Sequence, residues 1–263
     1  MTPRDDLGAE VPVKYPVRRV VSLVPSLTEA IAATCPETLV AATEWCTHPR
    51  DLDVERVRGT KNPNVRRIAE LAPDLVVCNQ EENRRIDVDR LRGAGIAVWV
   101  TRIRMVDEAF ESMARLFGIA LGTGRPQWLS VAEDAWAAPP PGRVRNAVIP
   151  VWRDPWMVVG RDTFTGDLAR RLGLRLVHSD RVGRYPKVSE QELRHGVELA
   201  VLPDEPYEFT ETDGPEAFPG IPVALVSGRS LTWYGPSLVT ARGELADQLA
   251  RSFAAGTGAR SKE

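Results

Sequence analysis

Short apolar runs alternate with helix-length amphipathic stretches along this chain, and the alternation restarts once. No other feature limits the fold as strongly, because strands that alternate with helices pair into parallel sheets. Arg19-Val-Val-Ser-Leu-Val24 reads as a first buried strand, stopped by Pro25. Ser26 then stands where it would cap a helix, with Glu29 three residues on as the other half of a capping box. A second strand is expected over 39–43, and Val57 begins a short strand that runs into the turn Asn62-Pro-Asn64. A helix follows over 63–71, with Pro63 in its first turn. Asp74-Leu-Val-Val-Cys-Asn79 has the composition of a strand buried on both faces. A helix over 83–93 and a strand over 96–100 complete the first set. Residues 105–121 carry an apolar stripe at helical spacing, broken by Gly122-Thr-Gly124, and a further helix is expected over 126–137.

Pro139-Pro-Pro-Gly142 is the sharpest boundary in the sequence. Beyond it the pattern begins again: a strand over 144–152, a helix over 163–172, a strand over 174–177, a helix over 189–196 and a strand over 199–202. A long loop rich in Pro, Glu and Asp over 203–222 precedes a strand over 221–226 and a closing helix over 237–253. The Gly- and charge-rich tail from residue 254 is expected to lack fixed structure. The expected fold class is α/β: two parallel-sheet α/β lobes, 17–122 and 143–253, joined by a helical linker and Pro-rich hinge over 123–142, with an interlobe cleft.

Composition removes several function classes. The 34 basic and 36 acidic residues nearly balance and no basic stripe occurs, so a nucleic-acid partner is not expected. Cys35, Cys46 and Cys78 form no Cys-x-x-Cys pair, which argues against a disulfide framework. No run approaches the roughly 18 apolar residues that would span a bilayer, so membrane insertion is not expected. Residues 1–14 are polar and lack an apolar core. Arg18-Arg19 ahead of an apolar stretch imitates an export signal, but Pro25, Thr28 and Glu29 interrupt it. On these grounds the expected location is cytoplasmic, or periplasmic or extracellular if a leader is missing. Phosphate-loop, dinucleotide, zinc-protease and nucleophile-elbow motifs are absent from the sequence, and the adjacent Glu81-Glu82 reads as a solvated loop, so an enzyme is not expected.

Tryptophans mark the places where strands end. Trp45, Trp152 and Trp233 each follow an apolar run, and Trp156 lies four residues beyond Trp152. In open α/β sheets ligands bind beyond the carboxyl ends of the strands. Large rings there suit a large, partly apolar, planar ligand, although each could equally be packing. The same strand-end loops carry Pro25 and Ser26 at a helix start, His48, Asn79 and Glu82, Tyr207, and Tyr234. Arg153 and Arg161 could each fork onto a ligand carboxylate or phosphate, or pin their own loops through Asp154 and Asp162. His48 stands in a strand-end loop two residues after Cys46 and is the candidate metal ligand.

Arg19-Val-Val-Ser-Leu-Val-Pro-Ser-Leu-Thr-Glu29 resembles the opening of the helical-backbone periplasmic-binding-protein family, whose ligands are iron-siderophores, haem and cobalamin. The likeness continues at Asn62-Pro-Asn64, Ile68-Ala-Glu-Leu-Ala-Pro-Asp-Leu-Val-Val77, Trp152-Arg-Asp-Pro-Trp-Met157, Gly160-Arg-Asp-Thr-Phe164, Tyr185-Pro-Lys-Val-Ser189 and Leu231-Thr-Trp-Tyr-Gly235, with the cobalamin-binding branch most similar. It implies two α/β lobes bridged by one rigid helix, and a ligand of the cobalamin, haem or ferric siderophore class held between them. It also implies an ABC-transporter substrate-binding role and a docking glutamate on each lobe facing permease arginines. This chain has Arg66 and Gln191 at those two places, with Glu190 and Glu192 flanking the second. A cation facing a cationic socket is repulsive, so conventional permease docking is not expected. The alternatives are an ordinary exported transporter component and an enzyme of tetrapyrrole or metal-cofactor metabolism that reuses the fold.

Overall fold

The computed structural model describes residues 2–257. Their contacts separate into two compact units. One comprises the chain up to Ile103, Asp107–Val131 and Tyr234–Pro236; the other comprises Arg104–Val106, Ala132–Trp233 and the chain from Ser237 onward.

The first unit holds a five-stranded parallel sheet. Its strands are β1 (Val20–Ser22), β2 (Leu39–Ala42), β3 (Glu55–Arg56), β4 (Leu75–Asn79) and β5 (Val98–Thr101), in the order β3-β2-β1-β4-β5. Val20 of β1 pairs with Leu39 on one side and with Leu75 on the other. All of β1 and β4 is buried, as continuous apolar runs require. The helices are α1 (Pro25–Ala32), α2 (Val65–Glu70), α3 (Arg85–Gly93), α4 (Val106–Arg115) and α5 (Gln127–Ala137), and a π-helical turn, Leu116–Leu121, extends α4. Val21, Leu23, Ile68, Val76, Leu91 and Val98 pack into one core cluster. The division between the two units falls inside α5, between Val131 and Ala132.

Local expectations change here. Ser26 does not cap α1. Val24 holds that position without a side-chain bond, because Pro25, which has no N–H to satisfy, occupies the first helical turn. Asn64 is the residue that caps α2, accepting from the Arg67 amide at 3.1 Å. The first lobe also begins well before residue 17. Asp5 is buried, accepts the amides of Leu7 and Ala9 at 3.0 and 2.9 Å, and pairs with Arg92 at 2.7 Å. Asp6 accepts from the Arg102 amide at 3.1 Å, and Val11 is fully buried. Polar composition hid this segment, because its attachment runs largely through the Asp5 and Asp6 carboxylates.

The second unit repeats the plan with fewer strands. It contains β6 (Arg145–Val148), the hairpin strands β7 (Pro150–Trp152) and β8 (Met157–Val158), α6 (Phe164–Arg171), β9 (Leu174–Leu176), α7 (Glu190–Arg194), β10 (Leu199–Pro203), β11 (Val223–Val226), α8 (Gly228–Thr232) and α9 (Leu238–Thr257). The parallel sheet runs β11-β10-β6-β9, and β7 pairs antiparallel with β8 outside it. The single strand expected over 144–152 is therefore two strands. Pro150 has no N–H to donate into the β6 ladder, and the chain leaves the sheet there. Helix α8 stands between β11 and Trp233, and Ser227 caps it by accepting from the Ser230 amide at 3.2 Å. Helix α9 continues to Thr257, past the expected start of the tail at 254, and residues 258–263 lie outside the described residues.

Stability separates these residues. Asp5→Ala leaves two amides and Arg92 without their acceptor, and should lower unfolding free energy by about 2–3 kcal/mol. Urea unfolding with no measurable loss would detach residues 4–11 from the cooperative unit. Trp156→Ala should cost about 3–5 kcal/mol, because that ring is buried in the second core. Trp45→Ala removes a mostly exposed ring and should change stability by only about 0.5 kcal/mol.

Candidate functional site

The first sheet reverses direction at β1. The chain leaves β1 toward β2 and β3, then returns on the other side to β4 and β5. The loops after β1 and β4 therefore diverge, which opens a crevice at the carboxyl edge of an α/β sheet. Pro25 and Ser26 follow β1, and Gln80 to Asn83 follow β4.

Two asparagines hold these loops. Asn79 Oδ1 accepts the amides of Glu81 and Glu82 at 2.8 and 3.3 Å, while its Nδ2 donates to Thr101 Oγ1 at 3.1 Å. Asn83 Oδ1 accepts the Asn79 amide at 2.8 Å, and its Nδ2 donates to the carbonyls of Leu23 and Thr60 at 3.1 and 3.0 Å. Both are buried, so they act as clamps and set the position of Glu82. Tyr234 is buried against the same edge and donates its hydroxyl to Glu82 Oε1 at 2.9 Å. Burial, and then the Glu82 charge, hold that hydroxyl well above its usual pKa, so it stays a donor. Gly235 lets this segment lie on α1: a Cβ there would stand 3.0 Å from the Ser26 carbonyl oxygen. Ser26 itself is buried.

Trp45, just past β2, is 67% exposed. Its ring lies along Gly59, where an added Cβ would come within 3.1 Å of the indole nitrogen. Cys46 points the other way. It is fully buried, and its sulfur accepts from Thr28 Oγ1 at 3.0 Å. Burial raises its thiol pKa, which disfavours the thiolate a metal needs. His48 is half-buried with Nδ1 3.2 Å from Thr47 Oγ1. Among the described residues no group of three or more His, Cys, Asp or Glu side chains is placed to hold a metal.

In the second unit the aromatic residues form a chain. Trp152 is 46% exposed and meets Tyr207 edge-on, with centroids 5.6 Å apart. Tyr207 leans on Phe209 at 4.7 Å, and Phe209 stacks on Trp156 at 6.0 Å and 4°. Arg153 lies over the Trp156 ring at 5.1 Å. Its guanidinium donates to Asp213 and, at 2.8 Å, to Glu216, with Asp154 3.8 Å away. Tyr207 donates to Asp213 at 2.7 Å. Arg153 thus fastens its own neighbourhood, through acids sixty residues along the chain as well as the adjacent one. Trp233 is buried beneath Arg229 at 5.8 Å. Next to it the Glu205 carboxyl is held above its usual pKa, chiefly by burial. Arg161 is exposed and lines a pocket to which Trp152, Arg153, Trp156 and Tyr207 do not contribute. Phe209, Phe218, Asp213 and Glu216 were not foreseen. They lie in the acidic loop after β10, where sequence spacing carried no signal.

Of the two positions where the resemblance implies docking glutamates, Arg66 projects from α2 with its side chain 91% exposed and pairs with Glu70 at 3.0 Å. Gln191 is exposed on α7. Its neighbour Glu192 completes a capping box with Ser189 and pairs with Arg181, and these bonds hold its pKa down at about 2.

No family model matches the chain. A vitamin B12-binding protein of Vibrio cholerae is 31% identical over 104 residues, which span 39% of this chain and 38% of that relative. A vitamin B12-binding protein of Pectobacterium carotovorum is 25% identical over 248 residues, 88% of each chain. Among solved structures, the periplasmic vitamin B12-binding protein of Vibrio cholerae superposes with a TM-score of 0.72 at 18% identity, over 90% of this chain and 98% of that one. A periplasmic haem-binding protein from Roseiflexus, in apo form, superposes with a TM-score of 0.77 at 16% identity, over 90% and 99%. Both solved proteins are periplasmic, so the likenesses do not support the cytoplasmic location expected from the polar N-terminus. Among the described residues no helix is long and apolar enough to cross a membrane. The chain therefore shares the parallel α/β fold of these periplasmic binding proteins, and its sequence is similar to vitamin B12-binding proteins.

Proposed function

We propose that this chain is the substrate-binding protein of an ABC-transporter-type system and takes a cobalamin-like corrinoid, with haem and ferric chelates as the neighbouring ligand classes. The observation that carries the reading is the likeness to vitamin B12-binding proteins over 88% of the chain. The exposed indoles support it. Trp45 on the first unit and Trp152 beside Tyr207 on the second each offer an aromatic surface at the carboxyl end of a strand. A flat, largely apolar macrocycle gains most from such surfaces. Polar contacts come from Ser26, Glu82 and Tyr234 at the sheet reversal of the first unit. Binding is the whole activity: the protein captures its ligand and does not turn it over. The names of the relatives favour an extracytoplasmic location.

Docking departs from the usual pattern in this reading. Arg66 places a cation where the family presents a glutamate, and the nearest carboxylate on α2, Glu70, is already shared with Arg66 and Arg67. Like charges across an interface oppose association. The partner permease should therefore carry a socket of different charge.

Titration with cyanocobalamin and with haemin, read by tryptophan fluorescence and visible absorption, tests the ligand. Saturable quenching is expected. Trp45→Ala and Trp152→Ala, tested singly, should each weaken binding by about 1–3 kcal/mol with little loss of stability. No quenching by either ligand up to about millimolar concentration removes the tetrapyrrole reading. For docking, the chain should fail to stimulate a vitamin B12-type permease in proteoliposomes. Association with that permease at about micromolar affinity or better would overturn the charge argument.

A further inference from the structure

The second unit has a pocket of about 570 Å³ that the aromatic chain of Trp152, Tyr207 and Phe209 does not use. It runs along β9, the edge strand of its sheet, and is bounded by α6, by the loop from Gly160 to Thr163, and by Arg104 and Met105. Two chemistries meet there. Arg104, Arg161, Arg170 and Arg175 line it against two acids, Asp162 and Asp167. Asp167 is already committed: it accepts from the Val106 amide at 3.0 Å, from Arg170 at 2.6 Å and from Arg171 at 3.1 Å. Arg175 is exposed and donates to Asn146 Oδ1 at 2.7 Å, a neutral partner that orients the guanidinium without cancelling its charge. Arg161 is exposed in the loop from Gly160 to Thr163. The lining also includes the apolar residues Met105, Val144, Leu174 and Leu176.

A partly enclosed pocket with excess guanidinium attracts anions, and each planar fork matches a carboxylate or phosphate. A bare inorganic anion would leave the apolar wall uncovered. We propose that this pocket binds a small amphipathic organic anion. Its carboxylate or phosphate head meets Arg161 and Arg175, and its aliphatic or aryl body lies on Met105 and Val144. The proposal does not rest on the corrinoid reading, since none of the exposed indoles lines the pocket. It gives the second unit a ligand of its own.

Calorimetric titration of the full chain with octyl phosphate, octanoate and inorganic phosphate, each below its micellar range, tests the proposal. One-to-one binding of octyl phosphate or octanoate is expected below about 1 mM. The double variant Arg161→Ala/Arg175→Ala should weaken it by about tenfold or more, a change near 1.4 kcal/mol. Both side chains are exposed, so the variant should keep the parent melting temperature, which is checked by circular dichroism. Arg85→Ala removes an exposed charge from the first unit and should leave the affinity unchanged. Met105→Ser should weaken the amphiphiles and not inorganic phosphate. The proposal is overturned if neither amphiphile binds, if a folded double variant binds as tightly as the parent, or if inorganic phosphate binds as tightly as octyl phosphate.

Discussion

Parallel pairing on both sides of β1 is the constraint on which the first unit depends. Val20 to Ser22 are buried between β2 and β4, so every backbone group must find its partner on a neighbouring strand. A strand buried in this way cannot be an edge. The chain must place later strands on both of its sides, and the order β3-β2-β1-β4-β5 follows. The crevice at Pro25, Ser26 and Glu82 is a consequence of that reversal. It exists because the sheet is parallel and wound in two directions.

Burial then decides which polar side chains are left for a ligand. Asn79 and Asn83 lie beneath the crevice, and a buried amide without partners is costly. Their bonds to the loop backbone satisfy both side chains and hold the loop after β4 in one shape. In the second unit Arg153 is likewise spent on Asp213 and Glu216, with its guanidinium over Trp156. Trp45 and Trp152 remain exposed beside these fixed loops. The two units thus use the same economy of means. Buried polar groups hold the loops, and one indole in each unit stays exposed.

Much of this was legible in advance because burial on both faces writes continuous apolar runs into strands. Residues 74–79 announce β4, and Pro139-Pro-Pro-Gly142 announces the restart of the pattern. What misled was local. Ser26 and Glu29 have the spacing of a capping box, yet Pro25 takes the helix start and leaves Ser26 inside it. The polar stretch at residues 4–11 looked peripheral, but Asp5 reaches Arg92 and Asp6 reaches Arg102, contacts that no periodicity signals. Trp233 and Trp156 have the same strand-end setting as Trp45 and Trp152, and only packing divides the buried pair from the exposed pair.

The sequence by itself determined the α/β class, the parallel strands and the restart of the strand-helix pattern, because these depend on periodicity, proline placement and ordered motifs within short stretches. Tertiary structure alone decided which of four similar tryptophans present a face to solvent, that Arg153 is neutralised by residues 213 and 216, and that Arg161 belongs to a separate pocket. The physical reason is that exposure and charge compensation are properties of neighbours in space. Residues sixty positions apart in the chain set them, and spacing along one strand or helix carries no record of that meeting.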